Sequence, residues 1–202
     1  MSDKQVPEIG SGYRGWTTRW FHRGGKKFRR FMSRFDGKPI TYLEIGVFEG
    51  ASAEWMCKNV LTHQDSIGHG VDPYLAWQRF DQDFMAQIKQ RAVELLSQYP
   101  NFSLHFETSS SFLRSGKLQD GSVDVVYIDG SHDAENTLRD AVMSWELLKV
   151  GGVMAFDDCH RKHLGKNDSG TVPYAVDSLR LCYSDHIETV LDAIQTVVKK
   201  TG

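Results

Sequence analysis

The hydrophobic pattern of the chain is most regular between Ser122 and His160. Val123, Val125, Val126, Tyr127 and Ile128 make an extended run that is apolar on both sides, as expected of a parallel strand buried on both faces. From Asp133, a candidate N-cap, Ala134, Leu138, Ala141, Val142, Trp145 and Leu148 recur at helical spacing, and Gly151-Gly152 is expected to end that helix. Val153 to Phe156 then read as a second buried strand running into Asp157-Asp158. The first strand stops at Asp129-Gly130, so two strands joined by a helix both end in acid at one sheet edge. Open α/β folds bind their ligands along that edge.

The same reading organises the rest. Ile40 to Ile45 is expected as the first strand, leading through Gly46 and Gly50 into a helix marked by Ala53, Met56, Cys57, Val60 and Leu61, with Ser52 a candidate cap. Two glycines let backbone approach a ligand, and the helix start behind them offers free N–H groups. Phe48 stands where a dinucleotide-binding turn needs its second glycine, which favours a phosphate-free adenosine ligand over NAD. Ile67 to Val71 is the second strand, and Asp72 at its end is placed to accept hydrogen bonds from a ribose. A helix over about Asp81 to Ser97 and a strand from Phe102 to Phe106 lead to Glu107-Thr108-Ser109, hydroxyls that either meet an adenine or cap a short helix. After Asp158 the pattern lapses into a polar, glycine-bearing stretch to Gly170, a candidate lid. A helix from Pro173 to about Cys182 follows, then closing strands at Ile187 to Leu191 and Ile194 to Val198.

Length and composition add little: 202 residues, 40% hydrophobic and 25% charged, suit one globular domain. Three cysteines without metal-ligand spacing point to a reducing compartment, and no run approaches a membrane span, so the expectation is a cytoplasmic protein with no membrane partner. The net charge of −2 hides an asymmetry. Between Tyr13 and Lys38, Arg14, Arg19, Arg23, Lys26, Lys27, Arg29, Arg30, Arg34 and Lys38 stand against one acid, Asp36. Phe28, Phe31, Met32 and Phe35 have the spacing of an amphipathic helix packed on the body, the reading preferred to a surface for anionic substrates or nucleic acid. The chain therefore divides into a basic aromatic arm or lid, residues 1–38, and an α/β domain, residues 39–202.

Taken in order, Glu44-x-Gly46-x-x-x-Gly50, Val71-Asp72-Pro73-Tyr74, Asp129-Gly130-Ser131-His132, Leu147-Leu148-Lys149-x-Gly151-Gly152 and Asp157-Asp158 resemble the class I S-adenosylmethionine-dependent methyltransferases. The nearest likeness is to the metal-dependent branch with macrocin-type and catechol-type O-methyltransferases. That resemblance implies an α/β fold, a Rossmann-like three-layer sandwich on a seven-stranded, mostly parallel sheet whose last strand is antiparallel. It implies S-adenosylmethionine held by Glu44, Gly46, Gly50, Ser52, Asp72, Thr108, Ser109 and Asp129, and a divalent metal, Mg²⁺ by expectation, on Asp129, Asp157 and Asp158. Three carboxylates at one edge repel each other unless a hard cation neutralises them. His132 stands where relatives carry a general base for a hydroxyl proton.

The expected acceptor is a small-molecule hydroxyl, on a sugar or phenol-like ring held by the lid and by Trp16, Trp20 or Tyr74. His160, His163 and Cys159 lie near enough in sequence to reach the site without an assigned role. A nicotinamide-dependent oxidoreductase and a catalytically silent nucleic-acid-binding protein on the same fold stay open as alternatives. So does assembly into a homo-oligomer.

Overall fold

Alternate residues of the central strands face opposite sides of one sheet, and each side is covered by helices. The computed structural model describes residues 7–12, 15–18, 21, 26–159 and 171–202. Its strands are β1 (Thr41–Ile45), β2 (Ile67–Val71), β3 (Phe102–His105), β4 (Val123–Ile128), β5 (Leu148–Phe156), β6 (Ile187–Leu191) and β7 (Thr196–Lys200). They form a seven-stranded sheet in the order β3-β2-β1-β4-β5-β7-β6. Only β7 runs against its neighbours, pairing antiparallel with both β5 and β6. The α/β sandwich expected from the sequence is the fold.

On one face Tyr42, Val125, Tyr127, Val153, Ala155 and Val197 pack beneath helices α1 (Lys26–Met32), α2 (Ala51–Asn59) and α3 (Gln82–Leu96). On the other Leu43, Ile45, Val126, Ile128, Met154, Phe156 and Val198 pack beneath α4 (Ser109–Arg114), α5 (Ala134–Leu147) and α6 (Val172–Cys182). The amphipathic helix expected in the basic arm is α1: Phe28, Phe31 and Met32 are buried, and the Phe28 ring lies 4.8 Å from that of Tyr127.

Several boundaries differ from the expectation for local reasons. Leu148 turns extended and ends α5, so Gly151-Gly152 lie inside β5 rather than closing the helix. Gly151 has φ +86°, and the first half of β5 is largely exposed, which removes the apolar signal that would have marked its start. Ser52 does not cap α2. Gly50 holds that position with φ +90°, and Ser52 sits in the first turn with its hydroxyl turned to Glu44. The last strand begins two residues later than Ile194. Asp133 and Asp81 do cap their helices, accepting from the N–H groups of Asn136 and Phe84. No helix among the described residues is long and apolar enough to cross a membrane.

Candidate functional site at the carboxyl edge of the sheet

The strand order reverses between β1 and β4: the chain moves outward from β1 to β3, then returns to lay β4 on the other side of β1. A crevice opens at such a point beyond the strand ends, and the sequence fills its walls with acid. Asp72 follows β2, Asp129 follows β4, and Asp157-Asp158 follow β5. Five non-glycine residues take left-handed backbone conformations among the described residues: Phe48, Tyr74, Gln78, His132 and Asp158. All five lie in turns after β1, β2, β4 and β5. Such strain persists where the surroundings hold it and collects at functional sites.

The turn after β1 is bound tightly to its neighbours. Gly46 has φ +89°, and a Cβ there would press into the Asp129 carbonyl. The close approach it allows is therefore to the β4 exit, which brings the two turns into contact. Asp72 holds the rest of the turn: Oδ2 accepts from the N–H of Val47 at 3.0 Å and of Phe48 at 2.9 Å, and Oδ1 from the N–H of Tyr74 at 2.8 Å. Burial pushes this carboxyl upward, against the three N–H bonds that favour its charged form. A carboxylate has about four lone-pair directions, so about one is left for a ligand.

Glu44 is fully buried at the end of β1. Tyr42 Oη donates to its Oε2 at 2.9 Å and the Ser52 hydroxyl to its Oε1. Desolvation outweighs both bonds and pushes the carboxyl up to about 7. Through these bonds Glu44 ties the end of β1 to the first turn of α2. In the turn after β3, Thr108 caps α4 by accepting from Ser111 N–H, and the Ser109 hydroxyl donates to Asp140 at 2.6 Å. Burial raises Asp140 to about 6. The cap expected in this turn is thus made by Thr108.

His132 occupies the short turn between β4 and α5. Its Nδ1 lies 3.8 Å from Asp129 Oδ1 and 3.5 Å from Asp158 Oδ2. Tyr127 Oη donates to Asp129 Oδ2 at 3.3 Å, and Gln195 Nε2 to Asp157 Oδ1 at 2.6 Å. Burial, then mutual repulsion, holds Asp129 well above the usual carboxylate range and raises Asp157. The donor chemistry, three carboxylates in mutual repulsion, fits a hard divalent cation. Among the described residues, however, no group of three or more His, Cys, Asp or Glu side chains is arranged to hold a metal ion.

The aromatic wall differs from the expectation. Tyr74 is 2% exposed and its hydroxyl donates to Phe48 O, so its ring is not open to an acceptor. Trp77 is the aromatic side chain beside the imidazole, 5.6 Å from His132 between ring centres. Reciprocal backbone bonds between Trp77 and Phe80 fix its loop. Trp16 lies on the arm beside Glu49 and Arg91, while Trp20, His160, His163 and the candidate lid from 160 to 170 lie outside the described residues. Cys159 stays near the end of β5, its thiol 3.6 Å from Phe156 O. Trp77 and Gln195 carried no motif signal, since each reaches the site from a loop far away in sequence.

A family model described as a methyltransferase domain matches residues 43–159. An uncharacterized protein of Acanthamoeba polyphaga mimivirus is 26% identical over 144 residues, which cover 69% of this chain and 61% of that relative. The chain thus spans less than two thirds of that relative's length. Among solved structures, a protein from Corynebacterium glutamicum superposes with a TM-score of 0.64 at 14% identity, covering 89% of this chain and 82% of that one. The O-methyltransferase TomG from Streptomyces achromogenes, in complex with SAM, gives 0.58 at 17%, covering 88% and 79%. An O-methyltransferase from Bacillus cereus in complex with SAH gives 0.61 at 16%, covering 87% and 80%. At such identities the likeness is one of fold.

Proposed function

The chain belongs to the methyltransferase-domain family, and from that premise we propose that it methylates a hydroxyl of a small molecule using S-adenosylmethionine. The observation that carries the reading is the placement of His132 between Asp129 and Asp158, at a β4 exit that touches the Gly46 turn. A proton acceptor and a cofactor turn thereby share one crevice. The matched relatives of known structure include enzymes whose names describe O-methyl transfer, which supports a hydroxyl acceptor.

Bound at the turn, S-adenosylmethionine supplies an electrophilic methyl group on a sulfonium. Asp72 fixes the turn through three N–H groups and offers its remaining lone pair to a ribose hydroxyl. Gly46 and Gly50 shape the turn, with Glu44 and Ser52 bracing it from beneath. Thr108, Ser109 and Asp129 complete the proposed cofactor contacts at the neighbouring strand ends. His132 accepts the proton from the acceptor hydroxyl as that oxygen attacks the methyl carbon and the methyl–sulfur bond breaks, its electron pair leaving with S-adenosylhomocysteine; Asp129 and Asp158 stabilise the resulting imidazolium. Asp129, Asp157 and Asp158 are the residues that would hold a hard cation such as Mg²⁺, which would supply positive charge to acidify a hydroxyl. The nicotinamide and nucleic-acid readings draw no support from the family match.

Calorimetric titration with S-adenosylhomocysteine, the demethylated product, tests the cofactor assignment. The product should bind, NAD should not, and Asp72→Ala should weaken binding by removing both the turn's anchor and a charged acceptor. Binding of NAD with no response to S-adenosylhomocysteine would refute it. Titration with Mg²⁺ of wild type and an Asp157→Ala variant tests the metal separately, and heat unchanged by the substitution would remove these acids as its ligands.

A further inference from the structure

Glu49 lies inside the proposed cofactor turn, between Phe48 and Gly50, yet its side chain points away from the acid cluster. It is 3% exposed. Its Oε2 accepts from the Thr17 N–H at 2.7 Å and its Oε1 from the Thr17 hydroxyl at 2.9 Å. Arg91 Nε, on α3, donates to Oε1 at 2.7 Å. Each partner is itself tied to the arm: Arg91 Nη2 donates to Gly15 O at 2.7 Å, and the Thr17 hydroxyl accepts from Gly10 N–H at 3.0 Å. One buried carboxylate thus joins three segments far apart in sequence, the arm, the turn and α3. Phe48, its neighbour, is the residue whose N–H is held by Asp72 and whose carbonyl is held by Tyr74.

We infer that Glu49 is a positioning residue that couples docking of the N-terminal arm to the shape of the cofactor turn. The inference rests on the proposed cofactor reading. A buried charge with three donors is strongly dependent on each of them, because losing one leaves charge uncompensated. Undocking the arm removes two donors from Glu49 and leaves Arg91 alone on it, which loosens that side of the turn. Coupling of this kind is reciprocal: whatever the docked arm contributes to cofactor binding, the bound cofactor returns to arm docking.

The test uses the full chain, S-adenosylhomocysteine as probe, and trypsin, whose sites in the arm include Arg14, Arg19 and Arg23. For wild type, saturating probe should slow cleavage of the arm. For Glu49→Gln, the arm should be cut about tenfold faster without probe, the probe should no longer protect it, and its affinity should fall by about tenfold, the scale of one charge-assisted hydrogen bond. Thr17→Val, which keeps the buried acid, should shift both readouts in the same direction, and Thr17→Ser should restore them. These threonine variants carry the test if Glu49→Gln does not fold. A freed arm with unchanged probe affinity would overturn the coupling, as would wild-type cleavage rates and affinity in Glu49→Gln. A wild-type protein that does not bind the probe would overturn the cofactor reading and the coupling together, whereas the variant results separate the coupling's failure from that of the cofactor.

Discussion

Replacing Glu44 by Gln isolates the cost of a buried charge beneath the proposed cofactor turn. Burial moves this carboxyl from its ordinary value of 4.5 to about 7. A gap of roughly two and a half pH units corresponds to about 3 kcal/mol. The folded protein keeps this proton up to about pH 7, while the unfolded chain releases it near 4.5. Between those values the native state binds more protons, so wild-type stability falls as pH rises through the window, and the loss is complete above it. Gln cannot ionise. Its carbonyl can accept from one of the Tyr42 and Ser52 hydroxyls and its NH₂ can donate to the other, since hydroxyls both give and take. The variant should therefore exceed wild type by up to about 3 kcal/mol at pH 8, with the difference vanishing below pH 4.5. Urea unfolding of both proteins at pH 4, 6 and 8 reads it, and groups that titrate alike in the two proteins cancel. A difference independent of pH, or a variant less stable at pH 8, would refute the reasoning.

Asp140→Asn should show the same sign over a lower window, from 3.8 to about 6, by the same unfolding assay. Gly46→Ala forces a Cβ into the Asp129 carbonyl at φ +89°, and should lose at least about 2 kcal/mol in urea together with affinity for S-adenosylhomocysteine. Phe28→Ala removes a fully buried ring from the arm side of the core and should lower stability by about 3–5 kcal/mol in the same measurement. His132→Ala should reduce turnover of an identified acceptor by about 10²–10⁴, with product affinity by calorimetry unchanged. Near-wild-type turnover at pH 7 would remove the imidazole from the mechanism.

The sheet was legible because its central strands are buried on both faces, which writes continuous apolar runs into the sequence. That signal fails where a strand is half exposed. Leu148 to Gly152 alternates poorly and contains two glycines, so the start of β5 reads as the end of a helix. The last strand is displaced for a related reason: Lys199 and Lys200 look like a polar tail. Lys200 nevertheless pairs with Ile187 and sends its ammonium to the carbonyls of Trp145 and Leu148.

The candidate site was legible only as far as it is written at strand ends. Acids after β2, β4 and β5 can be placed at one edge from the pattern alone, because a parallel sheet brings its carboxyl ends together. What those acids bind is decided by residues that sequence spacing cannot bring near. Asp72 spends most of its acceptor capacity on N–H groups 24 and 25 residues upstream and two residues on. Asp157 is met by Gln195 from the closing hairpin, 38 residues away. Glu49 appears in the sequence as a spacer between two glycines, and only the fold shows it holding the arm. The left-handed turns explain why these long-range bonds matter. Phe48 and Tyr74 carry side chains in a backbone conformation costing of order 1–3 kcal/mol, and Asp72 bonds the N–H of each, so one carboxylate opposes the strain of both turns. The backbone therefore requires an acid in that position whatever ligand the crevice takes, and a charge-removing substitution there should disturb the turn even before any cofactor is added.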